Sequence, residues 1–317
     1  MPDPIVHTVQ DYYPSRRAPQ PYRQARRDPT VYRAWSPAAP LSREQTDHFE
    51  ANGYLVLPDL FTADEVGHLQ AEAQRLLAPN SGIDSETAIL EPGGSDIRSI
   101  FRVHRQSTLI AQLSSDERLV GMAHFLLGDD VYIHQSRLNY KPGFRGKEFY
   151  WHSDFETWHV EDGMPRMRAI SMSVLLAENT AANGPLMLIP KSHRTFISCV
   201  GETPADHYKS SLKKQEYGVP DEESLADLVR ENEIVTATGT SGTVILFDCN
   251  MMHGSNGNIT PFPRSNVFLV YNAVSNRLVS PFGAPVARPE FIAARRVEPL
   301  PLSAGKMSLD QPLAQTG

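Results

Sequence analysis

The second half of the chain is dominated by short β-rich runs, and they restrict the fold more than any other sequence feature. Turn sequences such as Lys141-Pro-Gly143 and Asn183-Gly184 separate the runs. The runs are Val131–Tyr140, Phe149–Trp151, Ala169–Leu176, Pro185–Ile189, Thr243–Phe247 and Val267–Tyr271. Many short strands of this kind predict a double-stranded β-helix, the jelly-roll or cupin-like core, so we expect a mainly β fold with flanking helices.

The first third of the chain predicts helices that flank this core. Ser42–Gln45 and Thr62–Glu65 both have the hydroxyl-x-x-Glu/Gln form of a helix capping box, and the second precedes an apolar stripe of helical period. We predict one domain over residues 41–295, with the jelly-roll core at about 130–275 and a helical insert at about 203–233. An N-terminal arm (1–40) precedes it, and a loosely ordered tail (296–317) follows.

Charge and hydropathy exclude several classes of protein. The net charge of -7 argues against a broad basic surface for nucleic acid. No apolar run approaches the ~20 residues of a membrane-spanning helix, and the N-terminus has no signal-peptide pattern, so we expect a cytoplasmic protein. The arginine-rich stretch Ser15–Arg33 is either an anion-attracting tail or an arm packed over the domain or a partner subunit, which leaves a homodimer open.

Three side chains have the spacing of a metal site. His152 and Asp154 are two residues apart, so on a strand they project to the same face. A third ligand has to come from a distant strand, and the best candidate is His253, which is followed by Gly-Ser-Asn, a predicted loop that can turn sharply around a ligand. Two histidines and one carboxylate on one face leave coordination positions open, as in the facial triad of Fe(II) oxygenases. A His-x-Asp pair is common by chance, so the pattern needs a second observation.

That observation is Arg264, 11 residues after His253 and at the start of a predicted strand. In a jelly roll this strand runs back beside the metal, and its first residues point into the same cavity. A guanidinium there suits the far carboxylate of a dicarboxylate cosubstrate, although an isolated arginine in a polar loop is usually a surface residue.

The strand Val131–Lys141 adds a polar face whose direction the pattern leaves open. This face is either the solvent face of an antiparallel strand, which the pattern alone favours, or the lining of a ligand cavity. Its members from Gln135 onward are Gln135, Arg137, Asn139 and Lys141.

The segment Phe149–His159 is far more specific than His-x-Asp, and it resembles the ectoine-hydroxylating branch of the phytanoyl-CoA-dioxygenase-like family of iron and 2-oxoglutarate oxygenases. The resemblance covers residues 10–290 or so. Further matching segments are Asp11–Arg17, Glu161–Arg168, Asn183–Met187, His207–Lys213, Phe247–Asn250 and His253–Asn256.

The resemblance implies the site residues and the reaction. Iron(II) would be bound by His152, Asp154 and His253, and 2-oxoglutarate by Lys141, Arg264, Asn139 and Ser173. Ectoine would be contacted by Gln135, Trp158, Thr157 and Arg288. With O2 as second cosubstrate, the expected reaction converts ectoine to 5-hydroxyectoine and 2-oxoglutarate to succinate and CO2. On the polar face of the strand at 131–141, Gln135, Asn139 and Lys141 would then line the cavity.

Two further interpretations concern single residues. If the strand pairing continued past Asp154, Trp158 would share the face of the metal ligands. Its ring would then cover the cationic part of ectoine in a cation–π contact that contributes ~0.5–2 kcal/mol to binding. The related enzymes commonly have Pro-Gly-Ser-His where this chain has Pro190-Lys191-Ser192-His193, and this loss of glycine puts a left-handed turn in doubt.

The alternatives are an oxygenase for another small zwitterion such as a free amino acid, a non-catalytic jelly-roll protein that binds a solute or a metal, and a metal hydrolase. The hydrolase leaves Arg264 and Lys141 unexplained.

Overall fold

The structure is a computed structural model and describes residues 9–204, 208–212, 217–302 and 305–308. The strands are β1 (Arg23–Ala25), β2 (Tyr54–Leu57), β3 (Ala88–Leu90), β4 (Ile97–Phe101), β5 (Val131–Lys141), β6 (Phe149–Ser153), β7 (Ala169–Leu175), β8 (Leu186–Leu188), β9 (Thr195–Ile197), β10 (Val235–Ala237), β11 (Val244–Asp248), β12 (Met252–Ser255) and β13 (Arg264–Ala273). The α-helices are α1 (Arg43–Asn52), α2 (Ala63–Leu77), α3 (Thr108–Ser114), α4 (Glu117–Leu127), α5 (Asp154–Thr157), α6 (Tyr208–Ser211) and α7 (Glu222–Glu231). A π-helical turn, Trp158–Asp162, continues α5.

Two antiparallel sheets form the core. The larger sheet has the strand order β2-β11-β7-β13-β5-β4-β3, and the smaller has the order β10-β8-β12-β6. Strands that are far apart in sequence, such as β6 and β12, are hydrogen-bonded neighbours. This pairing is the double-stranded β-helix that the spacing of the strands predicted, and the predicted fold class is confirmed.

The larger sheet is apolar on its outer face and polar on its inner face. Leu138 and Leu269 belong to the main hydrophobic core, which helices α1–α4 complete on the outside of the sheet. The alternating neighbours Arg137 and Asn139 face inward, where Asn139 is directly opposite Asn266 of β13. The strand pattern alone favoured solvent for this polar face, and that interpretation was wrong. Helices cover the outer face, so the polar side chains line the interior.

The predicted helix starts are correct. Both capping boxes are formed, with the Ser42 hydroxyl accepting from the Gln45 amide and the Thr62 hydroxyl accepting from the Glu65 amide. The stripe of α2 buries Val66, Leu69, Ala73 and Leu76 in the main core. In the described part of the chain no helix combines the length and apolar character needed to cross a membrane.

The N-terminal arm packs on the chain's own domain. Strand β1 pairs antiparallel with β9. Tyr13 is fully buried, and its ring contacts Phe155 edge-on at 5.2 Å. Arg26 forms a buried ion pair with Asp248 at 2.7 Å. Of the roles open for the arm, covering its own domain is the one that these contacts favour, and a homodimer stays a prediction.

The insert contains the helix that the sequence predicted, whereas the tail is anchored more firmly than the sequence predicted. Helix α7 of the insert buries Leu225 and Leu228 against the smaller sheet, while residues 205–207 and 213–216 lie outside the described residues. The tail was expected to be loose, but Met307 is buried in the main core and its amide donates to Asp116 at 2.8 Å. Met307 therefore anchors the tail, because its buried side chain and a capping carboxylate hold it in place; residues 303–304 and 309–317 lie outside the description, as do 1–8 of the arm.

Candidate active site

The three predicted metal ligands converge on one point of the smaller sheet. His152 of β6 and His253 of β12 are cross-strand partners, with ring centroids 4.2 Å apart. Asp154 begins α5 just after β6, and its carboxylate oxygens lie 3.7 Å from His152 Nε2 and 3.9 Å from His253 Nε2. The ligand atoms of all three lie within 4.8 Å of one another. One ion of the size of Fe(II) fits between them.

Hydrogen bonds with neighbouring groups prepare the three ligands for a cation. His152 Nδ1 donates to the Tyr150 carbonyl at 2.7 Å, and His253 Nδ1 donates to the Met251 carbonyl at 2.9 Å. A carbonyl can only accept, so Nδ1 carries the proton and the lone pair of Nε2 faces the centre of the site. Ser171 Oγ donates to Asp154 Oδ2 at 3.3 Å.

The charge states are those of a metal site. Burial raises the pKa of Asp154, but the nearby His253, His152 and Arg137 outweigh it, and the net pKa lies well below the usual value. Burial and the neighbouring His152 lower the pKa of His253 to about 4. At neutral pH the site therefore presents an ionised carboxylate and a neutral His253, as divalent iron requires.

Two details of the sequence reasoning were wrong although the ligands converge. The strand ends at Ser153, so Asp154 reaches the histidines from a helix start, and Trp158 lies in the π-helical turn. Its position therefore does not follow from strand alternation. His253 lies inside β12 and not at the start of a loop.

The predicted cosubstrate residues lie on the inner face of the larger sheet. Arg264 opens β13 opposite Lys141 at the end of β5. Its Nη1 donates to the Gly184 carbonyl at 2.7 Å and its Nη2 to Asn139 Oδ1 at 2.6 Å. Burial, with Arg137 and Arg98 nearby, lowers the pKa of Arg264 to about 9. Among the described residues no carboxylate lies within ion-pair distance of Arg264, so this buried cation lacks an anion.

Lys141 and Ser173 occupy the same region in different ways. Lys141 is fully buried, and its Nζ donates to Ser255 Oγ at 2.9 Å and to the Asn256 carbonyl. Burial and the neighbouring Arg264 lower the pKa of Lys141 to about 6. Ser173 is fully buried, and its Oγ has no hydrogen-bond partner within the described part of the chain. A free buried hydroxyl is what a polar ligand would satisfy.

The predicted substrate residues come from the segment that follows Asp154, from the C-terminal region and from β5. Trp158 is 2% exposed, and its ring contacts His134 edge-on at 5.0 Å. Thr157 Oγ1 has no partner among the residues described. Arg288 is held by Asp162, with Nε to Oδ1 at 2.9 Å and Nη2 to Oδ2 at 2.5 Å.

Gln135, the fourth of these residues, donates to the Ile292 carbonyl at 2.9 Å. Its side chain is thus engaged with the C-terminal segment, and a substrate would compete with that carbonyl or use the amide oxygen.

Sequence reasoning missed several groups around the triad. Arg137, whose guanidinium lies 4.8 Å from the Phe268 ring centroid, lines the cavity together with His152 and His253. Both amide atoms of Asn266 are buried without a partner in the described residues. The alternation of β5 carried a signal for Arg137. Asn266 had none, because only the register of β13 against β5 places it beside Asn139.

Size alone does not locate the site. A cavity of about 970 Å³ lies outside the larger sheet, near the end of α2, and none of the predicted site residues lines it.

A jelly roll that brings two histidines and one carboxylate together beside a buried, unpaired arginine defines a non-haem iron oxygenase site. A profile of the phytanoyl-CoA dioxygenase family matches residues 49–266. The chain belongs to this family.

Similar proteins agree with this assignment. The chain is 65% identical to the ectoine dioxygenase of Sphingopyxis alaskensis, over 93% of this chain and 96% of that protein. It is 54% identical to the ectoine dioxygenase of Stutzerimonas stutzeri, over 90% and 94% of the two chains. The crystal structure of EctD from S. alaskensis with 2-oxoglutarate and 5-hydroxyectoine superposes with a TM-score of 0.85 at 58% identity, covering 92% of this chain and 97% of that one.

A more distant structure shows the same fold only. The 2-oxoglutarate-dependent carbocyclase SnoK is 18% identical and has a TM-score of 0.59 over 82% of this chain and 99% of its own.

Proposed function

We propose that the chain is an Fe(II)- and 2-oxoglutarate-dependent dioxygenase that converts ectoine to 5-hydroxyectoine, with release of succinate and CO2. The observation that carries the proposal is the convergence of His152, Asp154 and His253 next to the unpaired guanidinium of Arg264. The strong similarity to ectoine dioxygenases identifies the substrate.

His152, Asp154 and His253 would hold the iron, which with 2-oxoglutarate and O2 supplies oxidative decarboxylation coupled to hydroxylation of a C–H bond. The protein's part is to fix the ligands and to keep water and its own side chains away. The backbone carbonyls behind the two histidines fix their rings, so Nε2 needs no rearrangement when the metal binds.

Arg264 would bind the far carboxylate of 2-oxoglutarate. Its Nη atoms are oriented by Gly184 and Asn139, and its buried Nε has no partner in the described residues. A carboxylate there would neutralise a buried charge and satisfy the free donor. A bound carboxylate would raise the pKa of Lys141 from about 6, so that Lys141 would add positive charge from the neighbouring strand, and Ser173 Oγ would donate to the same ligand.

Trp158, Thr157, Gln135 and Arg288 would form the ectoine subsite. The amidinium of ectoine suits the face of the Trp158 ring, and its carboxylate suits Arg288. Asp162 occupies Nε and Nη2 of Arg288, whereas Nη1 makes no hydrogen bond within the described residues and is the donor left for a ligand. Holding the substrate by both charged ends orients one C–H bond toward the metal.

Turnover with matched substrates tests the proposal. The iron-loaded enzyme is incubated with 2-oxoglutarate, O2 and either ectoine or proline, and succinate and hydroxylated product are measured together. We expect ectoine-dependent succinate in equal amount to hydroxyectoine. Strong turnover of proline without turnover of ectoine would refute the substrate, and absence of any succinate would favour a non-catalytic binding protein.

A further inference from the structure

Arg16, in the N-terminal arm, is buried although it lies far from the triad in sequence. Its Nε and Nη2 donate to the two carboxylate oxygens of Glu156 at 3.1 and 2.7 Å, and its Nη1 donates to Glu161 Oε1 at 2.7 Å. The side chains of all three residues are at most 2% exposed. One guanidinium thus joins two carboxylates that are five positions apart.

The two glutamates flank the segment that carries the substrate residues. Glu156 precedes Thr157 at the end of α5, and Glu161 lies in the π-helical turn that begins at Trp158. A π-helical turn is rare and is often found at functional sites. Because Arg16 connects both ends of this segment, it restricts the position of Thr157 and Trp158 between them.

The ion-pair network continues from the segment to Arg288. Glu161 Oε2 lies 3.5 Å from Arg288 Nε, and Asp162 binds the same guanidinium in bidentate geometry. A shift of Glu161 would therefore change one of the contacts that position Arg288, the arginine proposed to bind the ectoine carboxylate. Arg16 is linked in this way to both charged ends of the ectoine subsite.

The arm holds Arg16 in an unfavourable backbone conformation. Its φ of 56° lies in the left-handed region, which costs a non-glycine residue energy and is often retained where function requires it. Ser15 stabilises the conformation, since its Oγ donates to Glu156 at 2.6 Å and accepts from the Cys199 amide at 2.8 Å.

Gly218, of the insert, closes the cluster from the outside. A Cβ atom at this position would lie 2.6 Å from Arg16 Nη2, 2.7 Å from Glu156 Oε2 and 2.8 Å from Thr157 Oγ1. Only glycine leaves room for this cluster. The arm, the insert and the substrate segment therefore meet at Arg16.

We propose that Arg16 is a positioning residue for the ectoine subsite, acting through Glu156 and Glu161 on Thr157, Trp158 and Arg288. The inference rests on the proposed function. It assigns to the arm a role in substrate binding that is separate from 2-oxoglutarate binding, because Arg264 and Asn139 lie on the larger sheet and not on this segment.

The test compares Arg16→Gln with Arg26→Gln in the full-length, iron-loaded enzyme. Arg26 is a matched control, since it is a buried arginine of the same arm but pairs with Asp248 on β11. The measurements are KM and kcat for ectoine, KM for 2-oxoglutarate, product formed per succinate, and thermal stability.

Arg16→Gln is expected to raise the KM for ectoine about tenfold or more and to halve the product per succinate or lower it further, because a displaced substrate is hydroxylated less often than the cosubstrate is consumed. The KM for 2-oxoglutarate should stay within about twofold. Arg16→Lys should recover part of the loss, since it keeps one cation between the two glutamates. Arg26→Gln should lose stability while keeping wild-type KM and coupling.

A second variant decides the question if Arg16→Gln does not fold. Gly218→Ala keeps the arginine at position 16 but forces Arg16, Glu156 and Thr157 to shift, and it should also raise the KM for ectoine. Gly82→Ala is its control, because Gly82 has a similar φ of 75° with open space around it.

The inference is overturned if the folded Arg16 and Gly218 variants keep the wild-type KM for ectoine and the wild-type coupling, or if Arg26→Gln changes both as strongly. If the wild-type enzyme itself does not turn over ectoine, the proposed function fails and the inference fails with it. An active wild-type enzyme with unaffected variants refutes the inference alone.

Discussion

Arg264 should destabilise the protein when no cosubstrate is bound. Its side chain is 2% exposed, and in the described residues no carboxylate lies close enough to pair with it. A buried cation without an anion is costly, and burial together with Arg137 and Arg98 lowers its pKa well below the ordinary arginine value, to about 9. We therefore expect Arg264→Gln to be more stable than the wild type in the absence of iron and 2-oxoglutarate.

The change in the free energy of unfolding caused by Arg264→Gln follows from two opposing contributions. The lowering of the Arg264 pKa from the ordinary arginine value to about 9 corresponds to roughly 4–5 kcal/mol of destabilisation at neutral pH, as an upper bound. The substitution also removes the hydrogen bonds to Gly184 and Asn139, at about 1 kcal/mol each. The free energy of unfolding of Arg264→Gln should thus rise by about 1–3 kcal/mol.

The same substitution should impair binding of 2-oxoglutarate. Loss of one partner of a buried ion pair costs about 2–5 kcal/mol, which corresponds to a KM for 2-oxoglutarate at least about thirtyfold higher. Gain of stability and loss of cosubstrate binding in one variant distinguish a ligand-binding arginine from a structural one.

Urea unfolding of the metal-free protein and steady-state kinetics measure the two effects. Arg98→Gln is the control, because Arg98 is equally buried but pairs with Glu91 at 2.9 Å. Its loss leaves a buried carboxylate alone and should destabilise by about 3–5 kcal/mol. The reasoning is refuted if Arg264→Gln is less stable than the wild type and its KM for 2-oxoglutarate is unchanged.

Three further predictions concern other residues. Lys191 has a left-handed φ of 67°, so Lys191→Gly should raise the free energy of unfolding by about 1 kcal/mol in urea unfolding; a loss of stability would contradict this. The pKa of Lys141 is about 6 in the folded protein and 10.5 in the unfolded chain, so the unfolded chain binds more protons between these values and wild-type stability rises with pH there. The stability advantage of metal-free Lys141→Met over the wild type should therefore shrink by up to about 1.4 kcal/mol per pH unit between pH 7 and 9, and a constant difference would rule this out. His152→Ala should keep the fold by circular dichroism but lose stoichiometric iron in metal analysis, whereas full retention of iron would exclude His152 as a ligand.

Local patterns in the sequence were sufficient for the barrel and for the choice of metal ligands. Turn residues separate the strands, and His152 and Asp154 are close in sequence. Both patterns can therefore be recognised without knowing how the strands pair. The polar face of β5 was also visible, but its direction depends on helices α1–α4, which cover the opposite face of the sheet. Only the resemblance to a known family gave the correct direction.

Other parts of the site depend on contacts that no local pattern contains. The four-residue helix α5 and the π-helical turn are too short to produce a periodic signal, so the position of Trp158 does not follow from strand alternation. The clamp of Arg16 on Glu156 joins residues 140 positions apart. A register shift between Val270 and Tyr271 of β13 leaves His134 of β5 without a cross-strand partner. Such features follow from tertiary packing.

Labelled oxygen gives the most direct test of the account. The iron-loaded enzyme is supplied with 18O2, ectoine and 2-oxoglutarate, and the products are analysed by mass spectrometry. Hydroxylation at the site formed by His152, Asp154 and His253 predicts one labelled oxygen in hydroxyectoine and one in succinate, with both products in equal amounts. Unlabelled hydroxyectoine formed without consumption of 2-oxoglutarate would contradict the account.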